Sequence, residues 1–158
     1  MIDVVIAASY IYQRYMKEKG TEIDEMKLHK LLYLSQRESI IQTGEPMFSA
    51  PFEAWKYGPV VVEIRDKFKS GQLARDISST EVAPYISIFD IVFKNYADKD
   101  SWSLSVLTHS ETSWINARKG LEPEDQGSNQ LTMKDICHDA ERIKMRRFFY
   151  NEIVPQIQ

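Results

Sequence analysis

Residues Lys27 to Phe68 read KLHKLLYLSQRESIIQTGEPMFSAPFEAWKYGPVVVEIRDKF, and the fold is decided in the densest part, Leu31-Leu32-Tyr33-Leu34. Four large apolar residues in succession, about 100° apart on a helix, cover every side of it instead of forming one stripe. Such a helix needs neighbours all round. The run from about Asp24 to Thr43 is therefore expected to be a central helix, ended by Gly44, against which amphipathic helices pack. The expected fold class is mainly α: a compact helical domain around this central helix at about 24–43, with a short extended segment near 52–55.

The extended segment follows from what comes after the helix. Gly44-Glu45-Pro46 and Ala50-Pro51 punctuate the chain, and Phe52-Glu53-Ala54-Trp55 then alternates apolar and polar residues. In Tyr57-Gly58-Pro59-Val60-Val61, Gly58 tolerates backbone angles that other residues avoid, and Pro59 suits the first position of a helix. Val61, Ile64 and Phe68 recur at helical spacing, so a helix is expected to leave from Pro59 and to stop at Gly71.

Working outward, Val5, Ile6, Ala8, Tyr12 and Tyr15-Met16 give a broad apolar stripe, which predicts a first helix from Ile2 to about Lys19, capped by Gly20. Thr21 or Asp24 can cap the central helix. The stretch Gln72–Val82 has no clear period and is expected to be loop. Ile86, Phe89, Val92-Phe93 and Tyr96 predict an amphipathic helix over about Pro84–Tyr96. Trp102-Ser103-Leu104-Ser105-Val106-Leu107 alternates like a strand, yet Ser101 is a good cap and Leu104 with Leu107 fits a short helix, which is the reading adopted. His109-Ser110-Glu111 is expected to turn a corner into a short helix carrying Trp114, Ile115 and Ala117, ended by Gly120. Glu122–Gln130 is polar, acidic and rich in turn formers, and is expected to be an exposed loop and the best site for proteolytic nicking. Thr132 with Asp135 three residues on predicts the cap of a last helix at about 132–152, and Pro155 is expected to end it.

Three segments in linked order carry a family resemblance: Lys27-Leu28-His29-Lys30-Leu31-Leu32-Tyr33-Leu34-Ser35-Gln36, then Phe52-Glu53-Ala54-Trp55-Lys56-Tyr57-Gly58-Pro59-Val60-Val61, then Leu107-Thr108-His109-Ser110-Glu111-Thr112-Ser113-Trp114 with Ala117-Arg118. Together they resemble the Panacea domain family, which includes the SocA-type antitoxins. The resemblance covers about residues 1–120, and none of the three segments is a catalytic motif. It implies a mostly helical domain that neutralises a toxin by direct contact and, in the SocA case, also delivers the toxin to a cellular protease. It further implies structural roles for the motif residues Leu31, Leu32, Tyr33, Gly58, Pro59, His109 and Trp114. The sequence departs from the family pattern at His29 and in Arg37-Glu38-Ser39; these are read as surface differences that bear on which toxin is recognised.

Composition narrows the function. A chain of 158 residues suits one domain and can bury roughly 70% of its unfolded surface. The expected organisation is a single Panacea-like domain over 1–158. A lone cysteine, Cys137, excludes an internal disulfide and suits a reducing cytosol. The N-terminus carries Asp3, no basic leader and too short an apolar run to span a membrane, so the expected location is the cytoplasm and no membrane partner is expected. With 20 basic and 23 acidic side chains, a formal −3, no global positive field draws the chain to nucleic acid. The local basic group Arg142, Lys144, Arg146 and Arg147 is interleaved with acids and reads as a solvated helix face.

The candidate chemistry is sparse. His29, His109 and His138 have no metal-ligand spacing, no zinc pattern occurs, and no cofactor is expected. Cys137-His138 are neighbours on a helix and point about 100° apart, which argues against a nucleophile and its base. His109 has three readings: locking the corner it sits on, touching a partner, or acid–base chemistry with Glu111. Trp55 can pack in the core or stand with Tyr57 on a docking platform, because aromatic side chains are costly to expose and favoured as anchors. The leading function is an antitoxin-type binding protein whose partner is a cognate toxin encoded beside it, including on a mobile element such as a prophage. The anchors expected are Trp55, Tyr57, Arg37 and Arg65. The alternative is a small hydrolase or nuclease using His109, Glu111 and His29.

Overall fold

Helix α1 (Val4–Lys19) starts where the Asp3 carboxylate accepts the Val5 N–H and ends at Gly20 in the left-handed conformation. The second helix, α2 (Glu25–Thr43), is capped by Asp24 through the Lys27 N–H and closed by Gly44, whose N–H bonds the Ile40 carbonyl. These features follow from the sequence, since carboxylates satisfy free N–H groups at helix starts and glycine adopts positive φ at helix ends without a Cβ clash. The structure, a computed structural model, describes residues 1–157.

Every residue of α2 from Lys27 to Ile41 is buried, so the helix predicted to need neighbours on all sides has them. They are α1, α5 (Ile86–Tyr96), α6 (Ser101–His109) and α8 (Met133–Phe148). The fold is mainly helical, as expected, with one small antiparallel sheet among the described residues.

That sheet revises the reading of the Gly58-Pro59 turn. Strand β1 (Glu53–Trp55) pairs with β2 (Gly58–Val60) in the register Glu53 with Val60, Ala54 with Pro59 and Trp55 with Gly58. Pro59 therefore sits in the returning strand of a hairpin, and the helix it was expected to open, α3 (Val62–Lys69), begins past it. Its missing N–H costs nothing there, because the two-stranded ribbon leaves an edge beside it. On the other edge of β1 lies the acidic segment near residue 130. Ala54 N–H donates to the Asn129 carbonyl at 2.8 Å, Lys56 N–H to Gln126 at 2.8 Å, and Leu131 N–H to Phe52 at 2.9 Å. The segment is mostly exposed loop, as expected, and is fastened through its backbone.

The remaining elements are short. A helical turn α4 (Ser79–Val82) and a 3-10 turn (Ala83–Tyr85) occupy the end of the expected loop and lead into α5. Asp100, not Ser101, caps α6, accepting the Ser103 N–H and hydroxyl. Helix α7 (Thr112–Ala117) borrows its cap from another element: the Asp139 carboxylate on α8 accepts the N–H groups of Thr112 at 2.7 Å and Ser113 at 2.9 Å. Thr132 caps α8 as expected. The chain then passes through a π-helical turn (Phe149–Ile153) into α9 (Val154–Ile157), where Pro155 lies in a first turn that tolerates it instead of ending the helix.

His29, Arg37, Glu38 and Ser39 correct the expectation of a variable surface on α2, being 2%, 1%, 1% and 2% exposed. Arg37 pairs with Glu111 and donates to the Tyr96 hydroxyl at 3.0 Å. Glu38 accepts both terminal nitrogens of Arg147 at 2.8 and 2.9 Å. The basic face of α8 is accordingly anchored at Arg147 to the central helix, and Arg142 lies 3.5 Å from Glu111.

Candidate partner-binding face

The hairpin is fixed to the helices by buried polar bonds, and each one places a motif residue. Lys30 reaches up from α2 and donates to the Pro59 carbonyl at 3.1 Å. The Val61 N–H points at His29 Nδ1, 3.4 Å away. From α6 the Ser105 hydroxyl donates to the Tyr57 carbonyl at 2.6 Å, and from α7 the Trp114 indole N–H donates to the Trp55 carbonyl at 2.9 Å. Gly58 is needed at the junction: its φ is +111°, and a Cβ there would stand 2.6 Å from both Lys30 Cε and Thr108 Oγ1. The carbonyls of Trp55 and Tyr57 face the scaffold, while the Tyr57 side chain is exposed and that of Trp55 half-buried.

On that face the two aromatic residues meet a charged rim. Phe52 and Ala54 point into the core at 1% and 0% exposure, while Glu53 and Trp55 point outward, as the alternation predicts. The Trp55 indole N–H donates to Glu53 at 2.7 Å and the Arg65 guanidinium covers its ring at 5.2 Å. Arg65 also approaches Glu25 at 3.6 Å. Tyr57 is 43% exposed and lies 5.9 Å from Trp102, itself 60% exposed, and Val106 follows one turn on at 55%. Lys56 stands over the Tyr57 ring at 5.2 Å.

Trp55, Tyr57 and Arg65, three of the four expected anchors, are thus brought together, whereas Arg37 is withdrawn into the core by Glu111. The sequence reading did not single out Trp102, although a tryptophan one residue after a helix start and off the Leu104 stripe is placed to face outward.

Between α2 and the hairpin opens a cleft of about 320 Å³, lined by Met26, Trp55, Tyr57 and Val60 with Glu25, His29, Lys30 and Gln126. Burial disfavours the charged form of both bases in it. The His29 pKa is pushed down, by burial first, against the pull of Glu25; that of Lys30 is pushed down to about 7 by burial, against the more distant Asp24 and Glu25.

His109 does not join an acid–base pair. Its ring stacks on Trp114 at 4.1 Å, and burial together with the nearby Lys30 and Arg118 charges lowers its pKa. Glu111 turns the other way, into the core against Arg37 and the Tyr33 hydroxyl, and burial raises its pKa. Among the described residues no hydrogen bond or ion pair links His109 to a carboxylate, so the pair invoked for a hydrolase is not assembled. His138 lies exposed on α8. No group of described residues is arranged to hold a metal ion, and no described helix is long and apolar enough to cross a membrane. At the other end of the chain Phe148, Phe149 and Tyr150 form a second exposed apolar group, 53%, 49% and 62% accessible.

Comparison with known proteins gives one family. The model described as antitoxin SocA-like, Panacea domain, matches residues 28–115, a little over half the chain, from the first turn of α2 to the middle of α7. No curated protein and no solved structure matches significantly.

Proposed function

The chain belongs to the antitoxin SocA-like, Panacea domain family, and from that premise we propose that it neutralises a toxin protein by direct contact, covering the surface through which the toxin acts. The observation that carries this reading is the outer face of the hairpin. Tyr57 is exposed and Trp55 half-buried on a hairpin backbone held by Lys30, Ser105 and Trp114, and the exposed Trp102 on α6 stands beside Tyr57. Aromatic and arginine side chains on a rigid support lose little entropy on docking and are the residues that dominate interface energetics. About 800 Å² per partner would suffice for a specific complex.

Arg65 completes the face, while Arg37 acts from the interior by fixing α7 under the hairpin. The toxin is encoded beside this chain, in a gene pair of the kind carried by prophages, and the complex forms in the cytoplasm. A further step, handing the toxin to a cellular protease, rests on the SocA likeness alone. A toxin half-life that is the same with and without this protein would remove it.

Co-expression with the neighbouring reading frame tests the proposal by growth rescue and co-purification. The variants Trp55→Ala and Tyr57→Ala are informative because truncation spares the backbone carbonyls that Trp114 and Ser105 use. Rescue by the wild type, and its loss in folded variants, places the interface on the hairpin. Rescue that survives there but fails in Phe149→Ala moves it to the C-terminal aromatics. A neighbour that is neither toxic nor bound overturns the proposal.

A further inference from the structure

The cleft between α2 and the hairpin contains a lysine in an unusual position. Lys30 is 1% exposed, and among the described residues it makes no ion pair; its ammonium has one hydrogen-bond partner, the Pro59 carbonyl. Buried cations are ordinarily paired, because taking an ammonium group out of water is costly unless an opposite charge or several acceptors replace the water. Beside it His29, 2% exposed, has its Nδ1 turned to the Val61 N–H, which leaves the proton on Nε2. That Nε2 has no hydrogen-bond partner, and the nearest carboxylate, Glu25, stands 3.9 Å away. Both residues line the same cleft. Its base therefore offers two donors short of acceptors, while its walls, Met26, Trp55, Tyr57 and Val60, are mostly apolar.

The surrounding charges select the sign of the occupant. Glu25 is shared between His29 and Arg65, and Glu53 is occupied by the Trp55 indole. Lys30 is left without a counter-ion of its own, whereas the nearby Lys56 is paired with Glu124 at 2.5 Å. A carboxylate at the base would accept from Lys30 and His29 together, and an apolar stem behind it would lie against Met26 and the Trp55 ring.

We infer that this cleft is the subsite that receives an acidic side chain of the partner protein, its carboxylate held by Lys30 and His29 and its stem by Met26, Trp55 and Tyr57. This rests on the antitoxin reading and gives its partner a chemistry: an Asp or Glu projecting from the toxin surface, set among apolar neighbours that meet Tyr57 and Trp102. The desolvation that depresses the Lys30 pKa is the same deficit that a bound carboxylate would relieve, so binding should take up protons at neutral pH.

The test has two arms. In the first, the isolated protein is titrated with phenylacetate and with its uncharged counterpart phenylacetamide, following the Met26 methyl and Lys30 side-chain resonances by NMR. Phenylacetate should bind about tenfold or more tightly than the amide, a preference that Lys30→Met should abolish. Because Lys30→Met alters a buried group, Met26→Trp serves as the second variant; it fills the half-buried mouth, leaves the base intact and should block both probes.

In the second arm, toxin affinity is measured for wild type and Met26→Trp, and each exposed Asp and Glu of the toxin is replaced by its amide. Met26→Trp and one such replacement should each cost about tenfold or more, and the replacement should cost little further when combined with Lys30→Met. Equal binding of acid and amide, or no binding of either, overturns the inference while leaving the antitoxin reading intact. So does a toxin complex indifferent to Met26→Trp. If the wild type itself binds no toxin, both readings fall together.

Discussion

Arg37 and Glu111 form an ion pair in the interior of the domain, each side chain 2% exposed, that ties the central helix to the start of α7. Burial, and after it Asp139, raises the Glu111 pKa, and Arg37 is the chief counterweight. Removing one partner leaves the other charge stranded, which costs more than the pair contributes. Arg37→Met should therefore lower the unfolding free energy by about 3–5 kcal/mol at neutral pH, measured by urea denaturation. The sign of its pH dependence follows: Glu111, left with the partly exposed Arg142 at 3.5 Å as its counter-charge, has a folded pKa above its unfolded one, so the deficit is greatest at neutral pH and shrinks in acid, where the neutral carboxyl is accepted. The pair Arg37→Met with Glu111→Leu should cost less than the sum of the single changes. Additive losses would show that the pair carries no coupling.

Gly58 is the point at which the hairpin touches the helices, and both of its constraints are measurable. Its φ of +111° disfavours any side chain, and a methyl group would press on Lys30 and Thr108 at 2.6 Å. Gly44 shares only the first constraint, with φ of +79° and open space around it. Gly44→Ala is expected to cost about 1–2 kcal/mol for the left-handed backbone alone. Gly58→Ala should cost about 1–3 kcal/mol more, for overpacking, and should also disturb the Lys30 side-chain resonances. Equal losses at the two sites would mean that the contact at Gly58 relaxes freely.

Much of this architecture was legible in the sequence and some of it could not be. Leu31–Leu34 declared a helix surrounded on all sides, and Asp24, Gly20 and Gly44 marked its neighbourhood, because caps and apolar coverage are local properties. The same all-round packing extends to Lys27 and Lys30, just before the run, which are buried with it. The charges on α2 were misplaced because their partners are remote: Glu111 is 74 residues from Arg37 and Arg147 is 109 from Glu38. Pro59 looked like a helix start since nothing local reveals that β1 pairs on one side with Gly58–Val60 and on the other with residues near 130. The expected anchors Trp55, Tyr57 and Arg65 emerged from residue type and local alternation, and the fold shows that Arg65 lies over Trp55.

Lys30 should leave its mark on the stability profile. Its pKa is about 7 in the folded chain against an ordinary value of 10.5, with burial as the dominant cause. Between those values the unfolded chain binds more protons than the folded one, so stability rises with pH across about pH 7.5 to 9.5. The slope contributed is at most about 1.4 kcal/mol per pH unit. Denaturation in urea at pH 7.5, 8.5 and 9.5 should show this gain in the wild type and its absence in Lys30→Met. A wild-type profile that is flat or falling over that range would mean that the ammonium group stays charged in the folded state.

Arg118 governs whether the segment at residues 122–130 behaves as the loop its composition suggests. Its guanidinium, in a side chain 8% exposed, donates to four carbonyls: Ala54 at 2.8 Å, Gln126 at 3.1 Å, Glu122 at 3.1 Å and Asp125 at 2.6 Å. The segment is acidic and solvent-facing, yet cleavage within it requires the backbone to leave both this clamp and the edge of β1. A glutamate-specific protease should therefore cut the native protein at Glu122 or Glu124 slowly. Lysine keeps the charge but lacks the planar fork that spans several carbonyls. Arg118→Lys should accordingly raise the native-state cleavage rate by about tenfold, the equivalent of about 1.4 kcal/mol in local opening, with little change in global unfolding. Since Gln126 forms a wall of the cleft, the same variant should also loosen phenylacetate binding. Rapid cutting of the wild type, or equal rates in the two proteins, would show that the clamp does not hold this wall in place.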